Sequence, residues 1–232
     1  VFDDFARTFG DAGFTLAKPT SDSRAAIALS SSNPAVATVD GASGAVSIVG
    51  AGTTTFTAAQ AANDDFVAAS KTMTFTVRQA IPTWGSMTGA TKTFGDASFS
   101  LTKPSSPSSG AFSFASSNTA VASVDADGKV TVVGAGTATI TATQSASGNY
   151  SSSSVAAVVT VGRVATTIAN LSLSNLTYGA SDVTLAPRSN NPSPFTFSSS
   201  APTVLAVNAT TGRVRIVGAG TATITVRQAS SA

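Results

Sequence analysis

Val132-Val133-Gly134-Ala135-Gly136-Thr137-Ala138-Thr139-Ile140-Thr141-Ala142-Thr143-Gln144 is the stretch that decides the fold, because the chain carries it three times. It stands earlier as Ile48-Val49-Gly50-Ala51-Gly52-Thr53-Thr54-Thr55-Phe56-Thr57-Ala58-Ala59-Gln60. It returns as Ile216-Val217-Gly218-Ala219-Gly220-Thr221-Ala222-Thr223-Ile224-Thr225-Val226-Arg227-Gln228, and Gly50, Gly134 and Gly218 are spaced 84 residues apart. On an extended chain, Ala138, Ile140 and Ala142 point to one face and Thr137, Thr139, Thr141 and Thr143 to the other. This period of two marks a half-buried strand, with threonine on the wet face keeping the β preference of a branched side chain. Gly-Ala-Gly offers two residues free to take positive φ, so the spacing predicts a hairpin or bulge there. An 84-residue period is too long for a solenoid unit and suits a tandem array of small domains, each burying its own core.

The repetition extends outward from this block. An aromatic-Gly pair opens each unit at Phe9-Gly10, Phe94-Gly95 and Tyr178-Gly179. A Ser-rich strand and a short valine strand follow, ending at Asp40, Asp125 and Asn208, each before a Gly-closed turn. Those turns run Asp40 to Gly44, Asp125 to Gly128 and Asn208 to Gly212, so the length varies only where a surface hairpin tolerates it. A closing strand with Val155, Ala157, Val159 and Val161 on one face ends the second unit. No stretch sustains helical periodicity. About seven short strands per ~80 residues, punctuated by Gly, Pro, Asn and Asp, argue for a sandwich of two sheets.

Composition narrows the functional classes. The chain has no Cys, no His and no Glu, and charged residues make up 10%, against ~25% in an average soluble protein. Without Cys there is no inter-sheet disulfide, so packing alone holds each core, and Phe, at thirteen copies, dominates it. A basic isoelectric point rests on a net charge of only +2, too little for a nucleic-acid partner. The charge is unevenly spread: residues 1–79 carry −2, residues 80–162 balance, and residues 163–232 carry +4. Head-to-tail attraction between molecules is one reading of that asymmetry, and a chance arrangement of so few charges is the favoured one. No apolar run is long enough to span a membrane as a helix.

Catalytic constellations fail on residue supply. Serine and cysteine triads lack their His, and zinc loses its two commonest ligands. Ser100-Leu101-Thr102-Lys103 matches a Ser-x-x-Lys motif, but residues three apart on a strand face opposite sides. Gly134-Ala135-Gly136 is followed by no Lys-Ser/Thr, which removes a phosphate-loop reading. Asp125-Ala126-Asp127-Gly128 opens like a calcium loop without the later ligands, so a plain turn is expected. The paired acids Asp3-Asp4 and Asp64-Asp65 read as solvated junction residues. No catalytic, cofactor-binding or metal-binding residue is assigned.

The Ser-Ser-Asn-(Thr/Pro)-Ala-Val-Ala-x-Val-Asp stretch, the Gly turn, the Val-rich strand and Gly-Ala-Gly-Thr-Ala-Thr-Ile-Thr-Ala together resemble the bacterial immunoglobulin-like domain, group 2, of invasin- and intimin-type tandem repeats. Gln60-Ala61-Ala62-Asn63-Asp64-Asp65-Phe66 and Gln144-Ser145-Ala146-Ser147-Gly148-Asn149-Tyr150 resemble a linker of such arrays. The resemblance implies an all-β chain of three tandem immunoglobulin-like β-sandwich domains, at 1–79, 80–162 and 163–232, the last lacking its final strand. It implies a non-catalytic spacer in an extracellular bacterial surface protein of the cell-adhesion type. The alternative is a structural or decoration component of a phage particle, a virion location, or an extracellular filament. In the filament, neighbouring immunoglobulin-like domains of the same or a symmetry-related chain exchange strands. On this reading the sequence is an excerpt of a longer array, beginning and ending inside a unit.

Partner contacts fall to Trp84, Ser108 and Asn190, with a cell-surface glycan or protein as the partner class. Trp84 follows Ile81-Pro82 at the entry of the second unit, where packing across the junction is the expected structural role. Ser108 and Asn190 lie in Ser/Pro/Asn-rich segments, 105–110 and 189–194, expected as exposed loop tips. The connections Arg78-Gln79-Ala80-Ile81-Pro82 and Val161-Gly162-Arg163-Val164 are too short for flexible tethers, so a semi-rigid rod is expected.

Overall fold

The computed structural model describes residues 2–230, and Val1, Ser231 and Ala232 lie outside the described residues. It divides into two compact units, Val1–Arg163 and Val164–Ala232. All regular structure among the described residues is strand.

The first repeat contributes β1 (Phe5–Thr8), β2 (Phe14–Thr15), β3 (Ile27–Ser31), β4 (Ala37–Val39), β5 (Ala45–Ile48), β6 (Gly52–Gln60) and β7 (Ala69–Arg78). These form one sheet in the order β1-β7-β6-β3 and a second in the order β2-β5-β4. The second repeat supplies β8 (Ala90–Thr93), β9 (Phe99–Ser100), β10 (Phe112–Ser116), β11 (Ala122–Val124), β12 (Lys129–Val132), β13 (Gly136–Gln144) and β14 (Ser153–Gly162). Its sheets, β10-β13-β14-β8 and β11-β12-β9, repeat the same arrangement. Only β1 on β7 and β8 on β14 run parallel within these sheets.

The alternation reads directly onto burial. Ala138, Ile140 and Ala142 of β13 are at most 2% exposed, and Val159 and Val161 of β14 lie beside them on the same inner face. In the first repeat the equivalent positions carry rings: Phe56 and Phe75 stack at 5.4 Å, and Phe5 and Phe14 close over Phe75. Ile140 and Val159 take the places of Phe56 and Phe75, so one strand frame accepts an aromatic or an aliphatic core.

The Gly-Ala-Gly segment corrects the hairpin expected from the sequence. β5 pairs with β4 and β2, whereas β6 pairs with β7 and β3, so Gly50-Ala51-Gly52 carries the chain from one sheet to the other. The glycines serve close approach. A Cβ on Gly50 meets the Ala35 carbonyl at 2.7 Å, and one on Gly52, at φ +143, meets Val36 at 2.9 Å. The true hairpin is the preceding Asp40–Gly44 turn, which joins the paired strands β4 and β5.

The second unit contains β15 (Ile168–Ala169), β16 (Val183–Thr184), β17 (Arg188–Ser189), β18 (Phe195–Ser199), β19 (Leu205–Val207), β20 (Arg213–Ile216) and β21 (Ile224–Gln228). The sheet β16-β20-β19 matches β2-β5-β4, while β18 pairs only with β21 among the described residues. Leu185, Phe197 and Val214 form its buried centre.

Candidate interaction site at the joint of the first two repeats

The glutamine that ends each repeated block is a clamp. Gln144, 1% exposed, donates its Nε2 hydrogens to the carbonyls of Ser108 (2.9 Å) and Gly110 (2.8 Å). Gln60 does the same to Ser23 and Ala25, and Gln228 to Asn191 and Ser193. A side-chain amide carries two donors in one plane, which suits two carbonyls two residues apart on a loop that has no strand to pair with. The clamp ties down the segment that enters β3, β10 or β18.

Beyond Gln144 the chain makes a tight turn, with the Ser147 and Tyr150 amides each donating to the other's carbonyl at 3.0 Å. Its tip reaches the first repeat within the same compact unit. Asn149 Oδ1 accepts the Ala51 amide hydrogen at 2.8 Å, at the sheet-to-sheet crossing. The Tyr150 ring meets Phe9 edge to face, with centroids 5.7 Å apart at 81°. The connecting segment is held from both sides: Ala80 donates to the Asn149 carbonyl and Ser151 donates back to the Ala80 carbonyl, both at 2.9 Å. Gln79 Nε2 adds a bond to the Gly148 carbonyl at 3.0 Å. Each bond contributes about 1 kcal/mol net and the aromatic pair a similar amount, enough together to order a short linker.

The sequence-selected residues occupy other places. Trp84 lies inside the second repeat, its Nε1 donating to Ser153 Oγ at 3.1 Å and its ring set edge-on to Phe112 at 5.7 Å. The expected packing across the junction is instead carried by Tyr150 on Phe9. Ser108 is 8% exposed rather than at a free tip, because its carbonyl is held by Gln144 and its hydroxyl accepts the Gly110 amide hydrogen. Asn190 is exposed, and its amide receives the Thr167 hydrogen and donates to the Ala165 carbonyl, both at 3.0 Å. Trp84 and Ser108 make no hydrogen bond to each other, and Asn190 belongs to the second unit. In the sequence Asn149-Tyr150 stands out only as the end of a linker-like stretch, where an Asn/Asp followed by an aromatic recurs at the same distance after Gln60 and Gln144, and its contact role is visible only in the structure.

The charged candidates are engaged locally. Lys103 lies beyond the end of β9 with its ammonium over the Phe112 ring at 4.5 Å, while Ser100 is paired with Lys129 of β12, so each is engaged elsewhere. Asp125 Oδ1 accepts the amides of Asp127 and Lys129, closing its own turn. Asp40 likewise accepts the Ser43 amide and hydroxyl, and these bonds hold its carboxyl below the ordinary 3.8. Among the described residues no three His, Cys, Asp or Glu side chains gather as a metal site. In the second unit a shallow concavity of about 500 Å³ is lined by Asp182, Asn208, Arg213 and Arg215, with Arg213 paired to Asp182 at 2.8 Å. Arg213 is 67% exposed there, so that pair contributes little. Among the described residues no helix is long and apolar enough to cross a membrane.

No curated protein sequence matches the chain. Among solved structures it is similar to Drosophila N-cadherin EC1-3, with 14% identity, 94% of this chain and 87% of that chain covered, and a TM-score of 0.36. Mouse protocadherin-24 EC1-3 is 10% identical over 94% of this chain and 84% of that one, with a TM-score of 0.32. Domains 4 and 5 of the S-layer protein SbsC are 19% identical over 58% and 75% of the two chains, at 0.26. At these scores the likenesses carry no argument. The family model described as "Intimin, immunoglobulin-like domain" matches residues 12–62, 101–148 and 188–230, once in each repeat. Together the three stretches cover more than half the chain, each ending just past or within a few residues of the clamping glutamine. The chain therefore belongs to the intimin immunoglobulin-like domain family.

Proposed function

We propose that this chain is a non-catalytic structural spacer of an extracellular bacterial surface protein, an adhesin-like stalk built from immunoglobulin-like domains at 1–79, 80–162 and 163–232. The observation that carries this reading is the family match falling once in each 84-residue repeat. The joint between the first two repeats supports it, since a linker clamped by hydrogen bonds transmits position rather than swinging freely. A sequence with no His and no Cys supports a mechanical role over a chemical one. On this reading, small sandwiches with tight turns hold a terminal binding region away from the cell envelope and resist proteolysis.

The test is accessibility in the source organism. Antibody raised against this chain should label intact cells, and added protease should remove the label while cytoplasmic markers survive. Signal that appears only after lysis, or that co-purifies only with released phage particles, would refute the cell-surface assignment.

A further inference from the structure

The three repeats share the strand frame of their smaller sheet but not the side chains on its outer face. Val183 pairs with Val214 as Phe14 does with Val46 and Phe99 with Val130, so positions correspond one to one. Flanking the buried Val214, the third repeat exposes Arg213 and Arg215 where the first has Ala45 and Ser47 and the second Lys129 and Thr131. The turn residue beside them is Asn208, where the others have Asp40 and Asp125, and Asp182 stands where they have Gly13 and Ser98. Over these four positions the formal charge is −1 in the first repeat (Asp40), 0 in the second (Lys129 against Asp125) and +1 in the third (two Arg against Asp182).

The exchanged residues line one hollow. Arg213, Arg215, Asn208 and Asp182 bound the concavity of about 500 Å³, with Ala206 and Val207 as its apolar lining. Ala206 lies opposite Arg215 and lacks the hydroxyl that Thr38 and Ser123 place opposite Ser47 and Thr131. Asp182 engages Arg213 at Nε, which orients the guanidinium without consuming its five hydrogens. Arg215 has no carboxylate partner among the described residues. Asn208 Oδ1 closes its turn on the Thr210 and Thr211 amides, as Asp40 Oδ1 does on those of Ala42 and Ser43. Its Nδ2 hydrogens, without an acceptor among the described residues, are left for a ligand.

From this convergence we infer that the hollow on the outer face of β16, β20 and β19 binds an acidic saccharide, a uronate or a sulfated sugar. Guanidiniums two residues apart on one strand face offer paired N–H donors to a carboxylate or sulfate. The Asn208 amide and the Thr184 hydroxyl, which lies across from Arg213, suit the hydroxyl oxygens of the same sugar. A hollow whose apolar lining is only Ala206 and Val207 has no pocket for the large side chains that anchor a peptide. The Asp40 and Asp125 carboxylates repel the same ligand in the other repeats. An open site of this kind binds weakly, with a Kd on the order of 1 mM for a short oligosaccharide. The inference does not depend on where the protein resides.

The experiment is an NMR titration of the full chain with two probes, a heparin-derived oligosaccharide carrying sulfate and uronate and a galacturonate oligosaccharide carrying carboxylate alone. The Arg213 and Arg215 Nε hydrogens and the Asn208 side-chain amide are followed. Saturable shifts at all three with at least one probe, fading as salt rises, are the expected result, and the two probes separate sulfate from carboxylate recognition. Arg215→Thr and Asn208→Asp install the second repeat's residues at these positions, and each should weaken binding about tenfold. An unchanged Val217 amide, bonded to the Val204 carbonyl beyond the far end of β20, reports that each variant is folded. Groups that stay fixed with both probes overturn the inference, as does undiminished binding in both variants. Equal shifts with neutral maltotriose refute anion recognition, and tighter binding of a glutamate peptide refutes the saccharide as ligand.

Discussion

Replacing Gln144 with leucine tests whether the clamp, rather than strand pairing alone, holds the entry to β10. The substitution keeps approximate volume in a site that is 1% exposed and removes two bonds, to Ser108 at 2.9 Å and Gly110 at 2.8 Å. Each net bond contributes ~0.5–1.5 kcal/mol, and a buried carbonyl left without a donor costs ~1–3 kcal/mol. One offset applies: Gln144 Oε1 is itself buried without a partner, so leucine also removes an unsatisfied acceptor. The balance is a destabilisation of about 2 kcal/mol, local to the second repeat. Chains of several domains do not melt as one state, so the assay is site-resolved hydrogen exchange, with urea denaturation as a cross-check. Protection should fall about thirtyfold at the Ser145 amide, which bonds the Ala111 carbonyl, and change little in β21. Gln60→Leu should cost about half as much, since Gln60 is only half-buried and its loop carbonyls rehydrate more easily. If Gln144→Leu leaves that protection within a factor of two of the parent, the clamp is incidental and the reasoning fails.

Asn149→Ala should raise exchange of the Ala51 amide about tenfold while leaving the strands of both repeats intact, because the lost bond joins repeats rather than building either one. Equal protection in the variant would mean that the crossing holds its own amide. Gly128 sits at φ +83 with the Phe114 ring 3.0 Å from where a Cβ would lie, so Gly128→Ala should destabilise the second repeat by ~1–3 kcal/mol. Gly10→Ala, at φ +93 with nothing within 4 Å, should cost only the backbone strain of ~1 kcal/mol, and thermal melts of the pair separate the two effects. Asp40 has a folded pKa depressed below 3.8, so its contribution is complete above that value and is lost as pH falls through the folded pKa. Carboxyl NMR should show Ser43→Ala moving that pKa upward. Asn208, its counterpart, accepts equivalent amides and has no proton to gain, so its turn should be insensitive over the same range.

Much of this protein was legible in one dimension because the signals are local. The 84-residue period, the alternation of Ala138, Ile140 and Ala142 with threonine, and the Asp-to-Gly turns each depend on a few neighbouring residues whose backbone preferences act without distant partners. They determined an all-β chain in repeated sandwich units. Tertiary structure decided what depends on pairing between remote segments. Gly50-Ala51-Gly52 looked like a hairpin because glycine permits several turns, and only the partners of β5 and β6 make it a crossing between sheets. Gln144 becomes a clamp only because folding brings Ser108 and Gly110, more than thirty residues earlier, within reach of its amide. Asn149 and Ala51 lie 98 residues apart, and no spacing rule relates them. Their contact arises because the folded repeats bring a turn tip and an open backbone amide to the same place.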